Sequence, residues 1–415
     1  MFAQISHNLE KLLYSLIEEQ INDTSASILK ELIIIKKSFE KITKISLIKK
    51  ISLNKNLKLN EENISVENII QKLIDLEYIE IKENENILIK IDNILNILLY
   101  PRYCYYVNIL YGPKCLKIFE YLLEYGFYNL NNNKNQKINF ERNDFTSLVT
   151  DGIIAKYNIQ KVQNENKKEC NNIFNINIEE IYKINYNLLN KIIFKEYIIN
   201  YYKNYISMNF DFYELFKKVI NSDTFSYDLK NYEKDLLETK IKDNFDYSNL
   251  LIKENNKITL NKDIIKYDLF FNSLEKIINL LYSSKHIRIL KIIQRNENFN
   301  IFQISQKACL KSIEVEEIID DLINIKIVKK IKKEENEEDN VFCLEEINES
   351  HINNIKEIIY DIIINVKFEL KDKLKELQGR ISKEIEIQYV NKYYSMINSF
   401  YEILNCFNFL FKINN

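Results

Sequence analysis

One pattern recurs along this chain and limits what it can fold into. A helical stretch with apolar residues at i, i+3 and i+4 runs straight into two short β-rich runs joined by a polar turn. Residues 69–92 hold the clearest copy: Ile70, Leu73, Ile74 and Leu76 stripe a helix, and residues 79–81 and 87–91 then form a hairpin around Glu83, Asn84, Glu85 and Asn86. A second copy starts at Ile318, where IIDDLINIKIVKKI parallels the earlier IIQKLIDLEYIEI and the return strand is 341–344. A shorter version lies at 145–157, after an Asn-rich loop at 129–135. A fourth hairpin, at 250–260 around Glu254, Asn255 and Asn256, follows a helical stretch at 232–240.

A helix packed on its own C-terminal hairpin, with two shorter helices before it, is the winged-helix arrangement. The upstream helices are readable in the last copy, at 287–294, 301–309 and 314–324. The tail differs. Ile355, Ile359, Ile362, Val366, Leu370, Leu374 and Leu377 step by three and four, and after Gly379 a second series runs through Val390, Tyr394, Ile397, Tyr401 and Leu404. Two such seams broken at a glycine predict an antiparallel helical hairpin of coiled-coil type; a single long helix along the last winged unit is the alternative. The expected fold is therefore mainly α with small β-hairpins: four tandem winged-helix domains, then a C-terminal helical hairpin. Its divisions are 1–99 for the first unit, 100–113 for a Tyr-rich linker, 114–180, 181–265 and 266–346 for the next three units, and 347–415 for the hairpin. An ordinary α+β segment is the alternative for any single copy.

Composition narrows the function classes. The 415 residues allow several domains, and 46% hydrophobic content supports a packed core. With only four Gly and two Pro, turns fall to Asn and Asp. A net charge of −2 excludes a uniformly basic nucleic-acid binder but leaves local patches open. Six scattered cysteines and three histidines include no C-x-x-C and no His pair, so no metal or cofactor is expected, and the chain reads as soluble and intracellular with reduced thiols. No phosphate-binding glycine loop, G-x-S-x-G or H-E-x-x-H occurs, and His286 beside Lys285 and Arg288 reads as a helix-start or surface histidine rather than a base. An enzyme is not expected.

The segment ILNILLYPRYCYYVNILYGPKCLKIFEYLLEYG at 94–126 carries a resemblance. Around Leu98, Leu99, Tyr100, Pro101, Arg102 and Tyr103, then Leu110, Tyr111 and Gly112, it resembles the large winged-helix subunit of the RNA polymerase III-specific initiation heterotrimer, a family related to the alpha subunit of the general factor TFIIE. Leu99 stands where that family usually has Arg. More weakly, 181–205 resembles the helix opening the family's third unit and 288–344 its fourth. The resemblance implies a non-catalytic subunit of DNA-directed RNA polymerase III. It implies a place on the clamp of the largest subunit, held with two smaller initiation-subcomplex subunits in the nucleus, aiding promoter recruitment and DNA opening for tRNA and 5S rRNA genes. The alternatives are a winged-helix scaffold subunit of another nuclear assembly and a DNA-binding transcription regulator.

Physical reasons for such a linker are available. Pro101 fixes its own φ and pushes Tyr100 toward extended geometry. Tyr103, Tyr105, Tyr106 and Tyr111 offer apolar faces with polar tips for packing between domains or on a partner, and Arg102 suits bidentate bridging. Tyr100, Pro101, Arg102, Tyr103 and Tyr111 are thus the expected interface or architectural residues.

Two basic patches are candidates for sequence-independent DNA-backbone contact: Lys41, Lys44, Lys49 and Lys50 within 36–58, and Lys329, Lys330, Lys332 and Lys333 on the last wing. A solvated charged face is the alternative for both. Base reading is not expected, because the third helix of the last unit offers Glu314, Glu316, Glu317, Asp320 and Asp321, and the first unit's equivalent offers Glu67, Asn68, Gln71, Lys72, Asp75 and Glu77. The stretch 334–349 adds eight acidic residues and no basic one. These units read as protein-docking modules.

Overall fold

The computed structural model describes residues 5–37, 43–53, 65–82, 86–130, 140–162, 176–206, 210–222, 225–228, 250–254, 257–295, 299–332, 340–345, 349–377 and 383–412. The protein is mainly helical with small antiparallel sheets. It divides into two compact units, one of residues 1–193 and 363–401, the other of residues 194–362 and 402–415.

The first unit begins with α1 (His7–Gln20), α2 (Asp23–Lys37), α3 (Lys44–Leu53) and α4 (Val66–Asp75). Ser65 caps α4 by accepting from the Glu67 amide, and Ile69, Ile70 and Leu73 bury one stripe. The helix closes in a Schellman motif. Tyr78 donates to the Leu73 carbonyl and Glu77 to that of Ile74, with Glu77 in the left-handed region at φ 59°. The chain then forms β1 (Ile79–Ile81) and β2 (Ile87–Ile89), and an isolated bridge joins Thr43 to Asn86. Next come α5 (Ile91–Leu95), a 3₁₀ turn (Asn96–Leu99) and α6 (Tyr100–Tyr125).

A second module follows in the same unit: β3 (Tyr128–Asn129), a short helix α7 (Thr146–Thr150), β4 (Ile154–Val162) and β5 (Ile176–Ile184), paired in the order β3-β5-β4. Phe145 stacks on Tyr182 at 4.3 Å, and Tyr128 and Phe140 pack edge-on beside them to fill this module's core. The boundary expected at 180/181 falls inside β5. The next helix, α8 (Tyr186–Ile206), starts five residues later, so 181–184 are strand rather than helix.

In the second unit, α9 (Phe210–Asn221) leads to β6 (Ser226–Asp228), β7 (Leu251–Glu254) and β8 (Lys257–Leu260), in the order β6-β8-β7. The helical stretch expected at 232–240 lies outside the described residues. Ile198, Tyr202, Phe216, Val219, Ile258 and Ile265 form the core here. After α10 (Lys262–Leu281), the last module runs α11 (Ser284–Arg295), α12 (Ile301–Ala308), α13 (Ser312–Asn324), β9 (Val328–Lys332) and β10 (Asn340–Leu344), with a bridge from Phe299 to Phe342. Its helix closure repeats the first module's: Ile327 donates to Leu322, Lys326 to Ile323, and Lys326 sits at φ 58°.

All four modules share two features. A short early strand or bridge pairs with the second strand of the hairpin. The residue after that strand donates to the residue at or before the first: Lys90 to Tyr78, Asn185 to Ile153, Asn261 to Leu250, Glu345 to Ile327. The tail forms α14 (Glu349–Leu377) and α15 (Lys383–Lys412). Ile355, Ile359, Ile362, Val366 and Leu370 are buried as expected, but Leu374 is half-buried, Tyr394 of the second series is exposed, and Tyr360, Ile363 and Ile364 are buried too. Burial that wide belongs to helices packed in a core, whereas a two-stranded seam would bury only its narrow stripe.

Candidate interface: a buried tyrosine joint and two basic segments

Residues 100–111 are helical, which corrects the expectation of an extended linker. Tyr100 has φ −51° and ψ −45°, despite the proline after it. Pro101 sits in the first turn of α6, where its missing N–H removes no intrahelical bond. The helical period then puts Tyr100, Tyr103 and Val107 inside and Tyr105, Ile109 and Leu110 outside. Gly112 interrupts α6 at φ 81° and ψ 179°, and Pro113 starts a new helical run. The linker is a three-turn helix ending in a glycine break.

The buried face is a polar-tipped aromatic cluster. The Tyr100 hydroxyl lies 3.0 Å from that of Tyr78 and 3.1 Å from that of Tyr186, and the Tyr100 and Tyr186 rings stack at 6.3 Å. Tyr103 donates to Asn190 Oδ1 at 2.5 Å, and Asn190 Nδ2 in turn donates to Asn96 Oδ1 at 3.1 Å. Burial drives the Tyr78, Tyr100, Tyr103 and Tyr186 hydroxyls above the ordinary tyrosine range, so all four stay neutral. Lys183 adds an ion pair to Glu77 at 2.7 Å. The cluster ties the end of the first module to α6 and to the start of α8. It is a joint within one unit, and nothing in it activates a nucleophile. Tyr186 and Asn190 escaped sequence reasoning, because nothing local marks which face of a strongly apolar helix will meet residues some ninety positions earlier.

The outer face is different. Arg102 is half-buried with its guanidinium over the Tyr105 ring at 5.8 Å, and Pro101, Tyr105, Ile109 and Leu110 are exposed. Tyr111 donates to Asp151 Oδ2 at 2.7 Å, tying the glycine break to the second module.

The two basic segments fall in different units. Lys44 is half-buried and Lys49 exposed on α3. Lys329 is half-buried and Lys330 exposed on β9, opposite Cys343 and Phe342. Lys332 ends β9, and Lys50 lies on α3; the side chains of both, and Lys41 and Lys333 altogether, lie outside the described residues.

On α13 the acidic residues divide. Glu314 pairs with Lys285, and Asp321 Oδ2 lies 3.1 Å from His286 Nε2, so these two are spent on holding α11. Glu316, Glu317 and Asp320 remain exposed. His286 sits at the start of α11, mostly buried, with Nδ1 3.1 Å from Ser283 Oγ and its ring stacked on Tyr282. Both ring nitrogens are engaged in this lock between α11 and α13. Among the described residues no group of three His, Cys, Asp or Glu could hold a metal ion, and no helix is long and apolar enough to cross a membrane. No family model matches this chain, and no curated protein matches it.

Proposed function

We propose that this chain is a non-catalytic subunit of RNA polymerase III, the large winged-helix member of the initiation subcomplex on the clamp. The observation that carries the reading is the segment Tyr100-Pro101-Arg102-Tyr103 lying directly after the first of four like modules. An early strand or bridge and a hairpin with the same closing hydrogen bond recur in each module, with helices between them in the first, second and fourth, which supports reading the modules as winged helices. The mechanism is positioning. Module faces and the tail helices bind partner subunits, the tyrosine joint sets the mounting of the first module, and lysines on α3 and β9 hold the DNA backbone without reading sequence.

A free-standing, sequence-reading regulator is the weaker reading, because Glu316, Glu317 and Asp320 occupy the face that would meet phosphate. A scaffold subunit of another nuclear assembly shares the docking logic and differs in its partners. Arg102→Ala separates docking from DNA contact. Recovery of co-purifying partner subunits should fall severalfold, while mobility shift on duplex DNA across a salt series is unchanged. Intact assembly with weakened DNA binding would contradict the assignment of Arg102 to an interface.

A further inference from the structure

A cleft of about 550 Å³ runs along the outer face of α1 in the first unit. The inner face of α1 buries Leu12, Leu13, Leu16 and Ile17. The opposite face lines the cleft from His7 to Glu18 in steps of three and four residues, a run of about 17 Å at 1.5 Å per residue. Helix α2 contributes Lys30, and α14 closes one end with Lys367, Phe368 and Lys371. Three turns of helix make a trough suited to an elongated occupant.

The charges in the wall do not balance. Each lining carboxylate already has a lysine: Glu10 has Lys37 at 2.5 Å, Glu18 has Lys371 at 3.9 Å, and Glu19 has Lys367 at 2.8 Å. Lys11 and Lys30 are exposed, and no carboxylate among the described residues pairs with either. The Lys30 ammonium lies 5.9 Å over the ring of Tyr14, whose hydroxyl donates to Asp23. At the far end Phe368 is 58% exposed, an aromatic ring largely open to solvent. The trough thus has a cationic end and an apolar end about two helical turns apart.

We propose that this trough receives an acidic amphipathic helix of a partner protein, with an apolar side chain against Phe368 and carboxylates on Lys11 and Lys30. This goes beyond the polymerase reading and holds for whatever assembly the chain joins. A nucleic-acid strand fits less well, because three glutamates share the wall and a continuous phosphate run would have to pass them. Helix-in-groove docking needs an apolar anchor and flanking charge, and both are present.

The test uses the full chain and fluorescence anisotropy. The probe is a labelled helical peptide of about twelve residues, with Leu and Phe at i, i+4 and Glu on the flanks. One control carries Lys in place of every Glu; a single-stranded oligonucleotide serves as competitor. The acidic peptide should bind saturably, and both Lys11→Glu/Lys30→Glu and Phe368→Asp should weaken it by about tenfold or more. Lys11→Gln/Lys30→Gln, which removes charge without adding repulsion, should weaken it less but clearly, with far-UV circular dichroism verifying that each variant keeps its helix content. Equal binding of the lysine peptide, indifference to the variants, or displacement by the oligonucleotide would overturn the proposal.

Discussion

Tyr103 and Tyr105 lie two residues apart on one helix and should behave oppositely. The Tyr103 hydroxyl is buried and donates to Asn190; removing it leaves the half-buried Asn190 amide oxygen short of a partner, at a cost of about 1–2 kcal/mol. Tyr103→Phe should therefore lower the urea midpoint followed by circular dichroism. Tyr105→Ala, on the exposed face, should stay within about 0.5 kcal/mol of the parent. The reverse order would mean that the buried cluster does not hold the joint. Asp268 provides a residue-scale test by pH. Burial raises its pKa above the ordinary value of 3.8, and the hydrogen bond from Tyr202 at 2.7 Å offsets this only in part. A raised acid binds its proton more tightly when folded, so its contribution to stability is lost as pH rises from about 4 through the folded pKa. Asp268→Asn, which still accepts from Tyr202, should melt higher than the parent at pH 7. That gain should vanish as pH falls toward 4; a variant less stable at pH 7, with a gap that widens with pH, would refute this sign.

Among the elements, the glycines at the two ends of the second half of α6 have different work to do. Gly126 sits at φ 84°, and a Cβ there would lie 2.0 Å from the Asp75 carbonyl oxygen, inside the backbone of α4. Gly112, at φ 81°, has nothing within 4 Å of the same added atom. Gly112→Ala should therefore cost only backbone strain, about 1–3 kcal/mol. Gly126→Ala should cost clearly more, because α4 and α6 must also move apart. Thermal melts of the two variants check this, and equal losses would show that the close approach is not required.

The same elements show what the sequence carried. The hairpins near 80, 255 and 330 were legible because apolar runs around short polar turns repeat, whereas near 155 only the first strand was. The last module's three helices were found within three residues of their ends. The early strands at Thr43, Tyr128–Asn129, Ser226–Asp228 and Phe299 were not legible, since one to three residues carry no period. The return strand β5 was read in part as helix because its partner β4 ends at Val162, far from Ile176 in sequence. Tyr100 was read as extended from the general effect of a following proline. Tertiary contacts overrode it, for an αR backbone is what brings its ring onto Tyr186 and its hydroxyl to Tyr78.

At the scale of the whole molecule, the proposed function is that of a chain that binds by shape and places other components. Its modules repeat a hydrogen-bonding scheme four times, its first tail helix is buried on a wide face, and its lysine-rich segments fall in both units. The most direct test of the proposed function is affinity purification of the tagged full-length chain from its own cell, with every co-purifying subunit identified. The expected result is recovery of the RNA polymerase III core together with two smaller partner subunits. Recovery of the chain alone, or with a different assembly, would contradict it.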